Sequence, residues 1–222
     1  MSFVKDCIDN SMDLWKKCLE SEFLTKMQQG SLSEDCFKGY IIDDSLYLRE
    51  YAKVFAWGMT KAEDWSAIKT YYSLLAFVNE GEGATRIKYL ERYGLSDTDI
   101  QHLPQRPQSL AYTECMVEAA KNGEGAPECI MACLPCMISY AWIFRSIVKN
   151  NPEVLKSVYG PLIADYASES YAEACRSWAD YANSVCENLT GHHKARCMKI
   201  FRDCSMHELH FWEMSSQPRE DI

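Results

Sequence analysis

The sequence contains no run of lysine and arginine, and positive charge is scarce in the chain as a whole. Its 222 residues include 23 Lys and Arg against 32 Asp and Glu, so the formal net charge is -9. Nucleic acids and anionic membrane surfaces attract clustered positive charge. We therefore expect this chain to bind neither of them.

Targeting segments are missing as well. No apolar stretch is evident that approaches the roughly 20 residues of a membrane-spanning helix. Residues 1–6 carry charge at once and lack the apolar core of a signal peptide. On this basis we expect a cytoplasmic protein whose eleven cysteines are reduced, and the odd number argues against a complete disulfide framework.

Strand patterns are absent, because no segment alternates apolar and polar residues between hairpin turns. Apolar residues instead recur at helical spacing. This spacing predicts helices at about 34–61, 63–93, 109–121, 127–150, 162–188 and 192–214. Gly81 and Gly83 weaken the second of these, which could kink or break there. The prediction is an all-α fold: residues 1–222 form a single-domain helical bundle of about seven or eight helices, with a frayed tail at 215–222.

Local signals mark where some of these helices begin and end. Ser31-Leu32-Ser33-Glu34 has the form of a capping box. Gly94 is suited to end a helix, and Pro127 is suited to the first turn of the next long one.

Among the cysteines, Cys136 has unusual neighbours. It follows Pro135, which removes a backbone donor from a helix, and Tyr140 lies one turn further along the same face. A phenol at that spacing can lie over the thiol and hydrogen-bond a substrate. Cys136 is therefore a candidate nucleophile, and the alternative is a small residue of the core.

Two carboxylates lie on helix faces that are otherwise aromatic. Asp44 shares a stripe with Tyr47 and Tyr51, and Glu208 shares one with Phe211 and Trp212. An aspartate that points into a core needs a donor or a ligand to satisfy it, and a glutamate on an aromatic face is suited to a raised pKa and hence to general acid–base work. The alternatives are a solvent-facing Glu208, and an Asp44 that is solvated or paired with a core arginine.

Metal and redox motifs are poorly supported. The Cys133-x-x-Cys136 pair has no second pair for a zinc site and no preceding strand for a thioredoxin-like motif. An oxidase with a di-iron or haem centre would need converging histidines and carboxylates, and no E-x-x-H pair occurs. One further set of potential ligands is weak because its adjacent histidines point apart on a helix: Cys186, His192, His193 and Cys197.

Three motifs, in order and at suitable separations, resemble those of the TenA family, also called thiaminase II, which has the haem-oxygenase-like fold. They are Gly30-Ser31-Leu32 with Phe37-x-x-Tyr40-Ile41-Ile42-x-Asp44-x-x-Tyr47-Leu48, Leu134-Pro135-Cys136-x-x-x-Tyr140, and Glu208-x-x-Phe211-Trp212. The resemblance extends over almost the whole chain and implies that Cys136 is the nucleophile and Glu208 the catalytic acid and base. Asp44 would bind the amino group and a ring nitrogen of an aminopyrimidine. Four tyrosines would line the site and position Cys136 or the ring: Tyr47, Tyr112, Tyr140 and Tyr166.

The implied reaction is hydrolysis of 4-amino-5-aminomethyl-2-methylpyrimidine, a breakdown product of thiamin, to 4-amino-5-hydroxymethyl-2-methylpyrimidine and ammonia. Many members of the family also cleave thiamin and release the thiazole. The resemblance further implies a homotetramer that needs no metal or organic cofactor. A non-catalytic protein that binds a pyrimidine, or a regulatory one, is the alternative, since such a pocket could use the same aspartate and tyrosines.

Three departures from the family pattern bear on the substrate. Asp43 stands where glutamine is common, and Leu162 stands where tryptophan is usual. Residues 141–144, Ala-Trp-Ile-Phe, replace a run that often contains glutamate. These changes are expected to reshape a wall of the pocket more than the chemistry.

Overall fold

The computed structural model describes residues 2–78 and 83–222, and the regular secondary structure of these residues is helical. No strand occurs in these ranges. The helices are α1 (Phe3–Asp9), α2 (Met12–Leu19), α3 (Glu22–Gln29), α4 (Glu34–Lys61), α5 (Trp65–Phe77), α6 (Gly83–Arg92), α7 (Asp97–Ile100), α8 (Pro107–Asn122), α9 (Pro127–Asn150), α10 (Gly160–Ala167), α11 (Glu169–Cys186) and α12 (Gly191–Ser215), and a 3-10 helix spans Pro152–Lys156. The all-α prediction is confirmed.

The predicted number of seven or eight helices is too low, because the described residues contain twelve α-helices. The helix expected at 63–93 is two helices, α5 and α6; Gly81 lies outside the described residues, and α6 begins at Gly83. The helix expected at 162–188 is also two, since Ser168 has extended backbone and its Oγ accepts a hydrogen bond from the Tyr171 N–H at 3.1 Å. Ser168, which caps α11, thus divides the predicted helix in two although the apolar residues keep helical spacing across it.

The capping prediction near α4 is wrong by two residues. The N-cap is Ser33, whose Oγ accepts a hydrogen bond from the Cys36 N–H at 3.2 Å. Ser31 belongs to the end of α3, where Gly30 has φ of 69° and the Ser31 N–H donates to the Lys26 carbonyl. Ser31 therefore takes part in the left-handed C-terminal ending of α3 and does not cap α4.

Helix α9 is the centre of the fold and packs against α4, α8, α10, α11 and α12. By length and composition it could cross a membrane, with a mean hydropathy of 1.5, so the expectation that no apolar stretch reaches that length overlooked it. Its charged residues fall only near its ends. However, 72% of its most apolar window is buried inside the protein, as is usual for a core helix.

The C-terminal tail beyond α12 is attached to the bundle through Arg219, a feature that the expectation of fraying at 215–222 did not take into account. The guanidinium, 1% exposed, donates to Asp43 Oδ1 on α4 at 2.6 Å and to the Pro104 carbonyl at 2.7 Å. It also pairs with Asp221 at 2.7 Å. A buried arginine with carboxylate partners holds the tail against α4.

Candidate active site

Four helices form the centre of the candidate site. Each of α4, α8, α9 and α12 packs against the other three, and α10 packs against α9. All seven predicted site residues lie on these elements and are buried. They are Asp44 and Tyr47 on α4, Tyr112 on α8, Cys136 and Tyr140 on α9, Tyr166 on α10, and Glu208 on α12.

Glu208 is buried among these helices rather than solvated. It is 1% exposed, and burial raises the pKa of its carboxyl to about 7. The Tyr112 hydroxyl donates a hydrogen bond to Glu208 Oε1 at 2.7 Å, and the Cys136 thiol donates another to the same carboxylate; both oppose the rise in pKa. A carboxyl balanced in this way can both release and accept a proton near neutral pH.

Cys136 is the least enclosed cysteine of α9. It is 9% exposed, while Cys129 and Cys133 have no exposed surface. Burial raises the pKa values of four phenols, and the neighbouring charge of an ionised Cys136 adds to each rise: those of Tyr40, Tyr47, Tyr112 and Tyr140. The thiol is therefore enclosed by aromatic side chains and hydrogen-bonded to a carboxylate, as a nucleophile with an adjacent base requires.

Asp44 is the second buried carboxyl of the site. It is 5% exposed, and burial raises its pKa to about 7, with the charge of Asp43 adding to the rise and that of Arg86 opposing it. Within the described residues its carboxylate accepts no hydrogen bond. A buried carboxyl without a donor is costly, so an N–H group of a ligand would be a favourable partner.

The core arginines pair with Asp43 and leave the neighbouring aspartate to the site. Asp43 is fully buried and accepts from Arg106 Nε at 2.8 Å and from Arg219 Nη1 at 2.6 Å. Arg86 instead donates to Ser45 Oγ at 2.7 Å, from where its charge acts on Asp44. Asp43, which is paired with arginines, and Asp44, which is not, are thus adjacent in sequence but lie in different environments.

The predicted tyrosines form two pairs of neighbouring rings. The rings of Tyr47 and Tyr112 lie 4.9 Å apart, and the Tyr47 hydroxyl donates to the sulfur of Met116 at 3.4 Å. The rings of Tyr140 and Tyr166 also lie 4.9 Å apart, in edge-to-face geometry. These rings provide flat faces against which a heteroaromatic ring could stack.

A cavity of about 220 Å³ opens beside Tyr166. It is lined by residues of α5, α6, α10 and the start of α11, among them Arg86, Leu162 and Asp165. A larger cavity of about 430 Å³ lies between α4, α6 and α7, and no predicted site residue lines it. The smaller cavity is therefore the one adjoining the candidate site.

Two of the departures from the family pattern lie at this wall. Leu162 lines the cavity beside Tyr166, and Phe144 stacks on Tyr166 with ring centroids 5.3 Å apart. Trp142 instead faces Trp15 in the core, 6.4 Å away. Phe144 thus contacts a predicted site residue, and Leu162 lines the cavity next to that residue.

Three contributors to the site were not predicted as site residues. The Tyr40 hydroxyl lies 3.5 Å from that of Tyr140, and the Trp212 ring stacks on Tyr40 at 5.5 Å. Arg86 acts on Asp44 from α6. The helical spacing of Tyr40 with Asp44 offered a signal for the tyrosine, whereas nothing near Arg86 in sequence marks it as a partner of α4.

The structure offers no support for a metal centre. No group of three His, Cys, Asp or Glu side chains that could hold a metal ion occurs in the part of the chain that is described. His193 Nε2 lies 2.8 Å from Glu128 Oε1, and Cys186 hydrogen-bonds Cys197. His193, one of the side chains considered as a metal ligand, is therefore paired with a carboxylate instead.

Comparisons with known proteins agree with the helical fold. The family model described as TENA/THI-4/PQQC matches residues 8–218. The chain is 28% identical to an aminopyrimidine aminohydrolase of Halalkalibacterium halodurans, over 99% of this chain and 97% of that protein. It is 25% identical to an aminopyrimidine aminohydrolase of Bacillus subtilis, over 97% of this chain and 90% of that protein. Among solved structures, a TenA homologue from P. horikoshii OT3 superposes with a TM-score of 0.83 and 25% identity, over 97% of this chain and 98% of that one.

Proposed function

The chain belongs to the TENA/THI-4/PQQC family, and from that premise we propose that it is a hydrolase of thiamin salvage. Its reaction is the conversion of 4-amino-5-aminomethyl-2-methylpyrimidine to 4-amino-5-hydroxymethyl-2-methylpyrimidine and ammonia. Relatives named aminopyrimidine aminohydrolase cover almost all of the chain, which supports this activity.

One observation carries the proposal. Glu208, a buried carboxyl with a pKa of about 7, accepts hydrogen bonds from both the Tyr112 hydroxyl and the Cys136 thiol. A nucleophile in contact with a group that can exchange its proton is the arrangement that covalent catalysis needs. A protein that only held a pyrimidine would have no use for that contact.

Asp44 orients and polarises the substrate. In its protonated form the carboxyl donates to a ring nitrogen and accepts from the exocyclic amino group, and its pKa of about 7 makes that form available at neutral pH. The hydrogen bond draws electrons from the ring, which becomes a better electrophile. The tyrosine faces hold the ring flat against Cys136.

The first half of the reaction expels ammonia. The Cys136 thiol transfers its proton to Glu208, and the sulfur forms a bond to the ring carbon next to the aminomethyl-bearing position. The electron pair then moves outward and breaks the bond between the exocyclic methylene and nitrogen. Glu208 gives its proton to the departing amine, which leaves as ammonia.

The second half adds water. Glu208, now ionised, removes a proton from a water molecule as its oxygen bonds to the exocyclic methylene. The electron pair returns through the ring and breaks the carbon–sulfur bond. Glu208 returns the proton to the Cys136 sulfur, so the enzyme is restored. Acid–base catalysis of this kind typically contributes about 10²–10⁴-fold.

Thiamin is proposed as a second substrate, with the thiazole leaving in place of ammonia. The cavity of about 220 Å³ beside Tyr166 could hold a leaving group larger than ammonia. The proposal is tested by incubating the purified protein with either compound and measuring ammonia and thiazole release. Ammonia release is expected, and thiazole release ranks the second substrate; tight binding of the pyrimidine with neither product would favour the binding protein instead.

The proposed form is a single-domain haem-oxygenase-like bundle that assembles into a homotetramer. The buried side chains make one hydrophobic cluster with members from every long helix, which supports one domain. Trp65 and Tyr72, one stripe of α5, are 74% and 64% exposed, and such large aromatic surfaces are typical of contacts between chains. A second copy of this chain is the proposed occupant of that stripe.

A further inference from the structure

The C-terminal tail beyond α12 reaches α4 directly beside the site. Arg219 lies in this tail, and its side chain is 1% exposed. The guanidinium donates from Nη1 to Asp43 Oδ1 at 2.6 Å and from Nη2 to the Pro104 carbonyl at 2.7 Å. The match to the family model ends at residue 218, one position before this arginine. The proposed reaction uses neither Arg219 nor Asp43.

Helix α4 contacts the tail through two residues on one face. Gly39 is buried, and a Cβ atom at this position would lie 3.3 Å from both the backbone nitrogen and Cγ of Arg219. A larger side chain there would therefore meet the tail itself. Asp43 lies one turn after Gly39 on the same face, so both residues contact Arg219.

An adjacent face of α4 carries residues of the site. Tyr40 and Asp44 each follow a tail-contacting residue by one position, and adjacent residues of a helix point about 100° apart. The Tyr40 hydroxyl lies 3.5 Å from that of Tyr140. No hydrogen bond holds the Asp44 carboxyl itself in the described part of the chain, so its position follows from that of α4.

Asp43 also connects α4 to two other helices of the site through Arg106. Arg106 is the N-cap residue of α8, and its Nε donates to Asp43 Oδ2 at 2.8 Å. Its Nη1 donates to the carbonyls of Met214, in the last turn of α12, and Gln217, at 3.0 and 2.9 Å. One fully buried carboxylate therefore joins α4, the start of α8, the end of α12 and the tail.

We propose that Arg219 is a positioning residue for substrate binding: acting through Asp43, the tail holds α4 where Asp44 meets the pyrimidine. This role rests on the proposed function, in which Asp44 binds the amino group and a ring nitrogen of the substrate. Binding groups must be held to within about 0.5 Å of their productive position by the residues behind them. A carboxylate with two arginine partners is fixed more firmly than one with a single partner.

Loss of Arg219 is expected to weaken binding of the pyrimidine. Titration calorimetry with 4-amino-5-hydroxymethyl-2-methylpyrimidine, the proposed product, measures this in proteins that carry Cys136→Ser. Because one hydrogen bond is worth about tenfold in affinity, Arg219→Ala should raise the Kd about tenfold with unchanged stoichiometry. A merely structural role would instead reduce the number of binding sites and leave the Kd of the folded fraction in place.

A double-mutant comparison tests whether the effect passes through Asp44. In an Asp44→Asn background, the further change Arg219→Ala should leave the Kd where Asp44→Asn alone has set it, because the group that Arg219 positions is already lost. A full additional loss of affinity in the double variant would overturn the proposal, since Arg219 would then act on binding by another route.

His193→Ala is the matched control for lost stability. His193 Nε2 lies 2.8 Å from Oε1 of Glu128, which is fully buried, so the change also removes a partner from a buried carboxyl. His193 lies near the start of α12, about 30 Å along that helix from Met214. The control should lose stability and keep its Kd. A weaker Kd in both variants, or in neither, would overturn the proposal.

Gly39→Val provides a second variant that keeps both Arg219 and Asp43. Its side chain should push the tail away from α4, and trypsin should then cleave after Arg219 and release residues 220–222 faster than from wild type. The Kd is expected to rise as in Arg219→Ala. A displaced tail with an unchanged Kd would overturn the proposal even if Arg219→Ala failed to fold.

Kinetics with Cys136 intact separate this role from the proposed function. The KM for ammonia release should rise in Arg219→Ala by about the same factor as the Kd, about tenfold. Normal turnover with unchanged KM and Kd would overturn the positioning role alone. Absence of ammonia release by wild type, with the expected pattern of Kd values, would count against the proposed function alone. Absence of pyrimidine binding by the Cys136→Ser protein would overturn both.

Discussion

Burial gives the two carboxyls of the site their chemistry. Asp44 and Glu208 are 5% and 1% exposed, and in both cases loss of water raises the pKa to about 7. A carboxyl that is held protonated up to neutral pH can donate as well as accept hydrogen bonds. The same burial must also cost stability once these groups ionise.

Replacing Glu208 by Gln separates these two effects. Ammonia release is expected to fall by about 10²–10⁴-fold, since the acid and base is lost. The stability of the variant, in contrast, should improve relative to that of wild type as the pH rises. In wild type the unfolded chain ionises near the ordinary glutamate pKa of 4.5 and the folded protein only near 7, so stability is lost as the pH rises through this window, by about 3 kcal/mol.

The amide has no proton to lose and should escape that penalty. Urea unfolding of wild type and Glu208→Gln at pH 4.5, 6 and 8 measures it, and the variant is expected to gain relative stability as the pH rises. A difference between the two proteins that does not vary with pH would contradict a raised pKa at Glu208.

Tyr112→Phe tests the hydrogen bond to Glu208. The hydroxyl stabilises the ionised carboxylate, so its loss should raise the pKa of Glu208 further. The limb of the pH–kcat/KM profile that reports Glu208 is expected to move to higher pH by about one unit. Tyr89→Phe, which removes a hydroxyl bonded to the Val158 carbonyl, is the control and should leave the profile in place.

At the residue scale, the sequence identified side chains whose partners lie on the same helix face. Helical spacing predicted that Glu208 accompanies Phe211 and Trp212, and all three are buried together. It could not predict that the Tyr112 hydroxyl donates to Glu208, because that contact depends on how α8 packs against α12. The assignment of core arginines to Asp43 rather than Asp44 has the same origin.

At the scale of elements, short helices and single caps determine what the apolar pattern cannot. Ser168 separates α10 from α11 and thereby places Tyr166 against Tyr140. The sequence shows the serine, but serine is common in helices as well as at caps, so periodicity continues through it. The long helices α4, α9 and α12 were predicted to within a few residues because their patterns are uninterrupted.

Arg219→Ala tests how the tail is held against α4. The change leaves Asp43, which is fully buried, with Arg106 alone, and breaking a buried ion pair typically costs about 3–5 kcal/mol. The free energy of unfolding, measured in urea, should fall by that order. Arg145→Ala breaks an exposed pair with Glu169 and should cost no more than about 1 kcal/mol. Equal effects of the two changes would rule out a structural role for the tail.

At the scale of the whole molecule, the exposed aromatic stripe of α5 bears on assembly. Trp65 and Tyr72 contribute little to the fold of the single chain because most of their surface is exposed. The double change Trp65→Glu and Tyr72→Glu should therefore convert the proposed tetramer into smaller species while the circular dichroism spectrum is retained. Multi-angle light scattering measures the mass, and an unchanged tetramer would place the interface elsewhere.

The proposed reaction depends on Cys136 acting as the nucleophile where the helices α4, α8, α9 and α12 meet. The most direct measurement is ammonia release from 4-amino-5-aminomethyl-2-methylpyrimidine by wild type and by Cys136→Ala, with circular dichroism as the check on folding. Steady release by wild type and none above background by the folded variant are expected. Substantial release by folded Cys136→Ala would contradict the role of Cys136 as the nucleophile.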